Sequence, residues 1–247
     1  GYELKRAGAS SPQQWINGEL KTNAGKGAEW YVLSLCRRGS YDFSGYAASL
    51  SERLSSGTPA NPVERQRCAL TMLSVGYTSR AVREICSSAA ENPSKCSVMQ
   101  LVFGLHLNNI TGDLAAQQKL IGELINNRMI SGNGWAVVKT SVQPDVDVTA
   151  MALAALAPHY SDTSVKAAVD SALRFLSAAQ LENGGFKSYG TENSESCSQV
   201  IIALTALGAD PETDSRFIKN GGNAVSALNG FRKPSGGFSH KVNEGEN

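Results

Sequence analysis

The chain repeats a glycine–aromatic pair at a nearly constant interval. The pairs are Gly134-Trp135, Gly185-Phe186 and Gly237-Phe238, and the intervals between their aromatic residues are 51 and 52 positions. An aliphatic residue stands ten positions before each aromatic residue, namely Ile125, Leu176 and Leu228. Periods of this length are typical of arrays in which each repeat is one supersecondary unit that buries its apolar face against a neighbour. The chain is therefore predicted to be a repeat protein, with its strongest repeats over residues 120–240.

Each repeat is predicted to contain two helices of different kinds. In Ser164–Gln180 the apolar residues recur at three- and four-residue spacing, which is typical of a helix with one buried face. By contrast, Thr149–Leu156 and Ala203–Leu207 are apolar on almost every side, and such helices must be enclosed by protein. Outer helices with a solvent-exposed face around inner helices without one predict an all-α fold, the α/α-toroid, which is a double ring of helices.

The earlier part of the chain contains further segments of the inner-helix kind. They are Trp30–Cys36, Cys68–Val75 and Leu101–Leu107, which brings the inner helices to about five. No segment shows sustained alternation of apolar and polar residues and no long linker interrupts the chain, so one domain without a sheet is predicted over residues 1–247. The turn at Phe238 predicts a sixth inner helix, but the sequence stops at Asn247. We expect an incomplete toroid of about five of six helix pairs, in which either the chain is truncated or another domain or protein completes the ring.

Charge, apolar runs and cysteine spacing exclude several classes of protein. Lys and Arg number 23 against 22 for Asp and Glu, so no basic surface for nucleic acid is predicted. The longest apolar run, Val200–Leu207, is far too short to span a bilayer, so no transmembrane segment is predicted. The five cysteines lack the paired short spacings of a zinc finger or a redox motif.

Several segments of the repeats resemble a known superfamily. Asn183-Gly-Gly-Phe186, the run Glu195-Ser-Cys-Ser-Gln199 followed by IIALTAL, and Pro144–Leu153 resemble the repeat of the terpenoid cyclase/protein prenyltransferase superfamily. Within it, the chain is most similar to bacterial cell-surface toroid proteins and to the animal cobalamin carriers, intrinsic factor and transcobalamin. This resemblance implies a secreted or cell-surface protein. It makes cobalamin a candidate ligand, although the carriers add a second small domain to hold the vitamin, so this chain alone is expected to bind it weakly.

One enzymatic interpretation rests on the acidic run before Ala150. Class II terpene cyclases protonate an alkene with an Asp-x-Asp-Asp run followed by Thr-Ala, and the resemblance places Asp147 at the position of the proton donor. The neighbouring Asp of that pattern is replaced here by Val148. The alternative is that Asp145 or Asp147 caps a helix, whose first turn favours negative charge. No catalytic residue is assigned from the sequence.

A second enzymatic interpretation concerns zinc. Protein prenyltransferases bind zinc through an Asp-x-Cys pair and a later His, and Glu195 and Cys197 lie where the resemblance places that pair. Glu replaces Asp, the third ligand is expected on the sixth inner helix, and His240 precedes that position. No cluster of Lys, Arg and His that would hold a diphosphate is apparent. No metal site is therefore predicted, and Glu195 and Cys197 remain weak candidates.

The interpretation that we favour from the sequence is a non-catalytic extracellular or cell-surface binding module. A ring of inner helices brings their N-termini to one rim, where unpaired amides, polar side chains and aromatic rings could hold a small molecule or a docking partner. The candidate ligand-binding residues are Trp135, Asp145, Asp147, Thr149, Phe186, Tyr189, Glu195, Gln199 and Phe238. The competing interpretation of these residues is that the aromatic rings staple neighbouring repeats and the polar groups cap helices. Two functional alternatives are a structural or adhesion domain of a larger surface protein and a zinc-dependent prenyltransferase-like enzyme.

Overall fold

The structure, a computed structural model, describes residues 1–138 and 140–244. Over these residues the regular secondary structure of the chain is almost entirely α-helical. It divides into two compact units. The first comprises Gly1–Cys96 and Phe103–Leu120, and the second comprises Ser97–Val102 and the residues from Ile121 onward.

The helices of the N-terminal half pack around one apolar cluster in the first unit. They are α1 (Tyr2–Arg6), α2 (Pro12–Trp15), α3 (Glu29–Leu35), α4 (Ser44–Ser55), α5 (Pro62–Ser74) and α6 (Arg80–Ala89), with a π-helix at Ile16–Leu20 and a 3-10 turn at Pro93–Lys95. Two further helices, α7 (Val98–Thr111) and α8 (Leu114–Asn126), contribute residues to both units. The residues at the start of α5 show why a helix begins at that point of the chain. Asn61 accepts from the amides of Val63 and Glu64, and Pro62 supplies a first position that needs no amide donor.

A buried carboxylate organises the loop that precedes α3 in the first unit. Glu29 is 0% exposed, and its Oε1 accepts from the amide of Gly25 at 2.6 Å and from the Tyr46 hydroxyl at 3.1 Å. Its Oε2 accepts from the amide of Gly27 at 3.0 Å and lies 3.7 Å from Arg67. Gly25 and Gly27 have φ values of 73° and 112°, which residues other than glycine rarely adopt. These contacts give Glu29 a structural role.

The second unit contains the predicted alternation of inner and outer helices. Its elements are α9 (Val146–Leu156), α10 (Thr163–Ala179), β1 (Lys187–Ser188), β2 (Thr191–Glu192), α11 (Ser194–Ala206) and α12 (Ala224–Asn229), with 3-10 turns at Ala157–His159 and Ser215–Phe217. Helix α9 packs against both α10 and α11, and α11 packs against α12. This order corresponds to two helix pairs whose inner members, α9 and α11, lie side by side.

Burial confirms the two kinds of helix. Eight of the eleven residues of α9 are buried, and the other three are only partly exposed. In α10 the buried residues follow helical spacing, from Val165 through Ala168, Val169 and Ala172 to Leu176, whereas Lys166 and Arg174 are exposed. Helix α11 departs from the prediction, because Thr205 and Ala206 of the predicted segment are exposed and the preceding Ile202 is 52% exposed.

The sequence predicted no sheet, and within the described residues the only ladder is the two-residue hairpin of β1 and β2. Such short strands leave no alternation to detect. The hairpin turns at Tyr189 and Gly190, which have φ values of 48° and 81°. None of the five cysteines forms a disulfide. No described helix combines the length and the apolar character needed to cross a membrane.

Candidate functional site

The first two glycine–aromatic turns meet the inner helices in the same way. The amide of Asp145 donates to the carbonyl of Trp135 at 2.8 Å, and the amide of Asn193 donates to the carbonyl of Phe186 at 3.3 Å. Asp145 and Asn193 are the N-caps of α9 and α11, and each side chain accepts an amide of the first turn, at 3.0 and 2.8 Å. Each turn therefore delivers the cap of the inner helix that follows it.

Four residues after each cap, a small side chain bonds back to the turn. The hydroxyl of Thr149 accepts from the amide of Trp135 at 2.9 Å and donates to its carbonyl at 3.2 Å. At the equivalent place in the next repeat, the thiol of Cys197 is hydrogen-bonded by the backbone of Phe186. Thr149 and Cys197 are 48 positions apart, whereas the aromatic residues are 51 apart, because the segment between aromatic residue and cap is three residues longer in the first repeat.

The aromatic residues of these turns differ in their exposure. Trp135 and Phe186 are both 0% exposed, and the indole Nε1 of Trp135 donates to the carbonyl of Leu124 at 2.7 Å. Phe238 is 37% exposed, and Tyr189 at the hairpin tip is 84% exposed. Burial of the first two rings supports the stapling interpretation for them, and Phe238 and Tyr189 retain surface that a ligand could contact.

Two carboxylates and a serine meet at the start of α9. The Oδ2 atom of Asp145 accepts from the hydroxyl of Ser188 on β1 at 2.5 Å. Asp147, in the first turn of the helix, is half-buried, and its Oδ1 is buried without a hydrogen-bond partner among the described residues. The hydroxyl of Ser196 on α11 lies near enough to act on this carboxyl, although its Oγ also has no partner at hydrogen-bond geometry. Asp147 is therefore the carboxyl of this cluster whose bonding capacity is least satisfied.

The surroundings of Asp147 favour its protonated form. Burial raises the pKa of Asp147 most, and the charges of Asp145 and Glu195 raise it further, while the hydroxyls of Ser196 and Ser188 act in the opposite direction. The net effect is a pKa above the ordinary value of an aspartic acid. A carboxyl of this kind retains its proton at a higher pH than an exposed one.

Glu195 occupies the place of Asp147 in the next repeat but has different surroundings. It is exposed, and its Oε2 lies 2.8 Å from Nδ1 of His240 and accepts from the Ser194 hydroxyl at 3.1 Å. The amide of Ser194 also donates to the carbonyl of His240 at 3.2 Å. Gln199, another predicted ligand-binding residue, lies half-buried further along α11.

The contacts made by Ser188 and His240 were not predicted from the sequence, although the repeat pattern contains a signal for them. Each residue follows the aromatic of its turn by two positions. Each contacts an acidic residue at the start of the preceding inner helix: Ser188 bonds to Asp145, and His240 bonds to Glu195. Aligning the repeats on their aromatic residues would have paired these two positions.

The geometry does not favour zinc at Glu195 and Cys197. Cys197 is 0% exposed, and burial raises the pKa of its thiol to about 11, whereas zinc binds the thiolate. The thiol of Cys197 is hydrogen-bonded by the backbone of Phe186, just as the hydroxyl of Thr149 bonds to the backbone of Trp135. The carboxylate of Glu195 contacts His240. Among the residues that the structure describes, no group of three or more His, Cys, Asp or Glu side chains is placed to hold a metal ion.

Comparisons with known proteins support the fold. No family model and no curated protein matches the chain. A solved structure, ent-copalyl diphosphate synthase from Streptomyces platensis, matches with a TM-score of 0.61 at 17% identity, over 97% of this chain and 49% of that one. This likeness confirms the predicted α/α-toroid fold. It does not support the narrower likeness to cobalamin carriers or to bacterial cell-surface proteins.

The same comparison corrects the functional prediction. We expected a non-catalytic extracellular or cell-surface binding module, and this expectation is wrong, because the solved structure that shares the fold is an enzyme and nothing indicates a binding module. The prediction weighed the missing second Asp of the Asp-x-Asp-Asp run heavily and relied on a likeness to carriers. One fold hosts many functions, so the fold alone could not carry that choice.

Proposed function

We propose that this chain is a helical domain of an enzyme that protonates an alkene, as class II terpene cyclases do, with Asp147 as the proton donor. The proposal is supported by the fold that the chain shares with a diphosphate-forming cyclase and by the position of Asp147 at the start of an inner helix. The chain spans about half the length of that solved structure, which it covers to 49%. The substrate class that we propose is a linear isoprenoid diphosphate.

The observation that carries the proposal is the environment of the Asp147 carboxyl. A general acid must hold its proton at the working pH. Burial and the charges of Asp145 and Glu195 all raise the pKa of Asp147, and no cation is among the groups that shift it. The neutral acid is thus the form that these surroundings favour.

Proton transfer leaves a carboxylate that the site must stabilise. In the proposed step the π electrons of an alkene take the proton of Asp147, a tertiary carbocation forms, and a second alkene attacks it to close a ring. Loss of a proton from carbon ends the reaction, so the product is an isomer of the substrate. The hydroxyl of Ser196, which lowers the pKa of Asp147 and has no other partner among the described residues, would stabilise its anion. The second carboxyl of the cyclase pattern is replaced by Val148, which is 4% exposed, so in the proposed step the Ser196 hydroxyl takes its place.

The test is cyclisation in deuterated buffer. Linear isoprenoid diphosphates of graded length are incubated with the protein in D2O, and the products are analysed by mass spectrometry for a ring and a single deuterium. Asp147→Asn should reduce the rate by at least about a hundredfold, the lower end of what a general acid contributes. Glu52→Gln is the control, because it removes an exposed carboxylate of α4 that is not among the groups acting on Asp147, and it should retain most of the rate. An undiminished rate in Asp147→Asn would overturn the proposal.

A second measurement examines the acid itself. Carbon-13 NMR of the aspartate carboxyls, assigned by loss of one signal in Asp147→Asn, follows the titration of Asp147 directly. We expect its pKa above the ordinary value near 3.8. Titration at or below that value would remove the protonated donor that the mechanism requires.

A further inference from the structure

A cleft of about 490 Å³ lies in the second unit between α10 and the segment that contains the 3-10 turn Ser215–Phe217. The residues that matter for its chemistry are Asp170, Leu173, Arg174 and Ser177 from α10, and Arg216 and Lys219 from the segment. Three of these six side chains are cationic. They are up to 45 positions apart in sequence, and for this reason no cationic cluster was apparent there.

The walls of the cleft are tied together by hydrogen bonds. The hydroxyl of Ser177 donates to the carbonyl of Arg216 at 2.6 Å, and the buried amide of Gln180 donates to the carbonyl of Phe217 at 2.9 Å. Phe217 is 0% exposed and anchors the segment in the core. The backbone that carries Arg216 is therefore fixed against α10. Arg174 on α10 and the two cations of the segment, Arg216 and Lys219, thus line one preformed cleft.

The acidic groups at the cleft are already neutralised. Asp170 accepts from the Tyr160 hydroxyl at 2.7 Å and pairs with Lys166 at 2.6 Å. Asp214 accepts from Nε and Nη2 of Arg216, at 3.0 and 2.6 Å.

The remaining cations have capacity left to bind an anion. In the part of the chain that the structure describes, neither the Arg174 guanidinium nor the Lys219 ammonium forms a side-chain hydrogen bond or an ion pair, and Nη1 of Arg216 makes no hydrogen bond. The charges of Arg174 and Lys219 are therefore in excess over the local carboxylates.

We propose that this cleft binds the phosphate or diphosphate group of a small molecule. Guanidinium groups present planar donors that match phosphate oxygens, and an ammonium group adds a point charge. Arg174, Arg216 through Nη1, and Lys219 would supply these donors, and buried Leu173 would give an apolar wall for the organic part. The volume lies within the range of roughly 300–1,000 Å³ that is usual for small-molecule sites. This inference goes beyond the proposed proton transfer and does not depend on Asp147.

Isothermal titration calorimetry with inorganic pyrophosphate tests the site on the full chain. We expect saturable binding that weakens as salt is raised. The double variant Arg174→Ala/Lys219→Ala should lose at least about tenfold in affinity, because both unpaired cations are removed. Lys26→Ala/Arg83→Ala is the matched control: it removes the same charge from two exposed side chains of the first unit and should leave the affinity unchanged. Thermal unfolding of each variant checks that the fold is retained.

Further titrants distinguish the source of the anion. Inorganic phosphate that binds as tightly as pyrophosphate would indicate a single-phosphate site, and a linear isoprenoid diphosphate that binds more tightly would indicate that the apolar wall is used. Both results support the proposal. Absence of saturable pyrophosphate binding, or an equal loss of affinity in the control variant, would overturn it. Asp147→Asn should bind pyrophosphate like the wild type, so failure of this site and failure of the proton donor are separate outcomes.

Discussion

The starts of α9 and α11 are two copies of one local structure with different chemistry. Each follows a glycine–aromatic turn, begins at a cap that bonds to the carbonyl of the aromatic residue, and carries an acidic residue two positions after the cap. The acid is Asp147 in the first copy and Glu195 in the second. The backbone frame is thus shared, and the difference lies in what surrounds the two carboxyls.

Those surroundings separate a partly buried acid from an exposed carboxylate that contacts an imidazole. Asp147 has a buried oxygen without a partner among the described residues and a raised pKa, whereas Glu195 is exposed and bonded to His240. The Glu195 side chain is exposed beside His240, whereas the shorter Asp147 side chain is half-buried near Ser196 of the neighbouring helix. Equivalent positions in a repeat therefore do not imply equivalent functions, because burial decides which carboxyl keeps its proton.

The largest effect that we expect concerns the aromatic staples that make the two copies alike. Trp135→Ala and Phe186→Ala should each lower the free energy of unfolding by about 3–5 kcal/mol, because each removes a fully buried ring. Phe238→Ala, at a ring that is 37% exposed, should cost clearly less. Urea unfolding followed by circular dichroism measures all three. A small loss at Trp135 or Phe186 would mean that these rings do not staple the repeats.

A smaller effect tests the bond from the inner helix back to the turn. Thr149→Val keeps the shape of the side chain but leaves the buried amide of Trp135 without its acceptor, and should cost about 1–3 kcal/mol. Cys197→Ala should cost less, about 1 kcal/mol, because a thiol is a weak hydrogen-bonding group. Urea unfolding gives both values, and elemental analysis gives the metal content. If Cys197→Ala released a stoichiometric zinc ion, the structural role of this thiol would be refuted.

The smallest effect distinguishes the two acids by their dependence on pH. Because the pKa of Asp147 is raised in the folded chain, its contribution to stability is fully present below the unfolded pKa near 3.8 and is lost as the pH rises through the folded pKa. The wild type should therefore lose stability relative to Asp147→Asn as the pH increases over this window. Unfolding free energies of the two proteins, measured at several pH values, give the difference. A difference that is constant with pH, or that grows in favour of the wild type, would contradict the raised pKa.

Whether the sequence could predict a contact in the site depends on how far apart along the chain its two residues lie. The cap at Asp145 and the first-turn position of Asp147 follow from local spacing, because a cap bonds to amides within three residues. The contact of Asp145 with Ser188 and that of Glu195 with His240 join residues 43 and 45 positions apart, so local patterns do not reveal them. The cationic cleft of Arg174, Arg216 and Lys219 was missed for the same reason.

The sequence by itself determined the repeated helix pairs of the toroid fold, because apolar periodicity and glycine–aromatic turns report directly on which side of a helix is buried. The tertiary structure decided the register between the repeats. A 51-residue offset between the aromatics becomes a 48-residue offset between the caps, since the connecting segments differ in length. It also decided which carboxyl is an acid candidate, because a pKa depends on burial and on charges brought near by other elements, such as Glu195 and Ser196 across from Asp147.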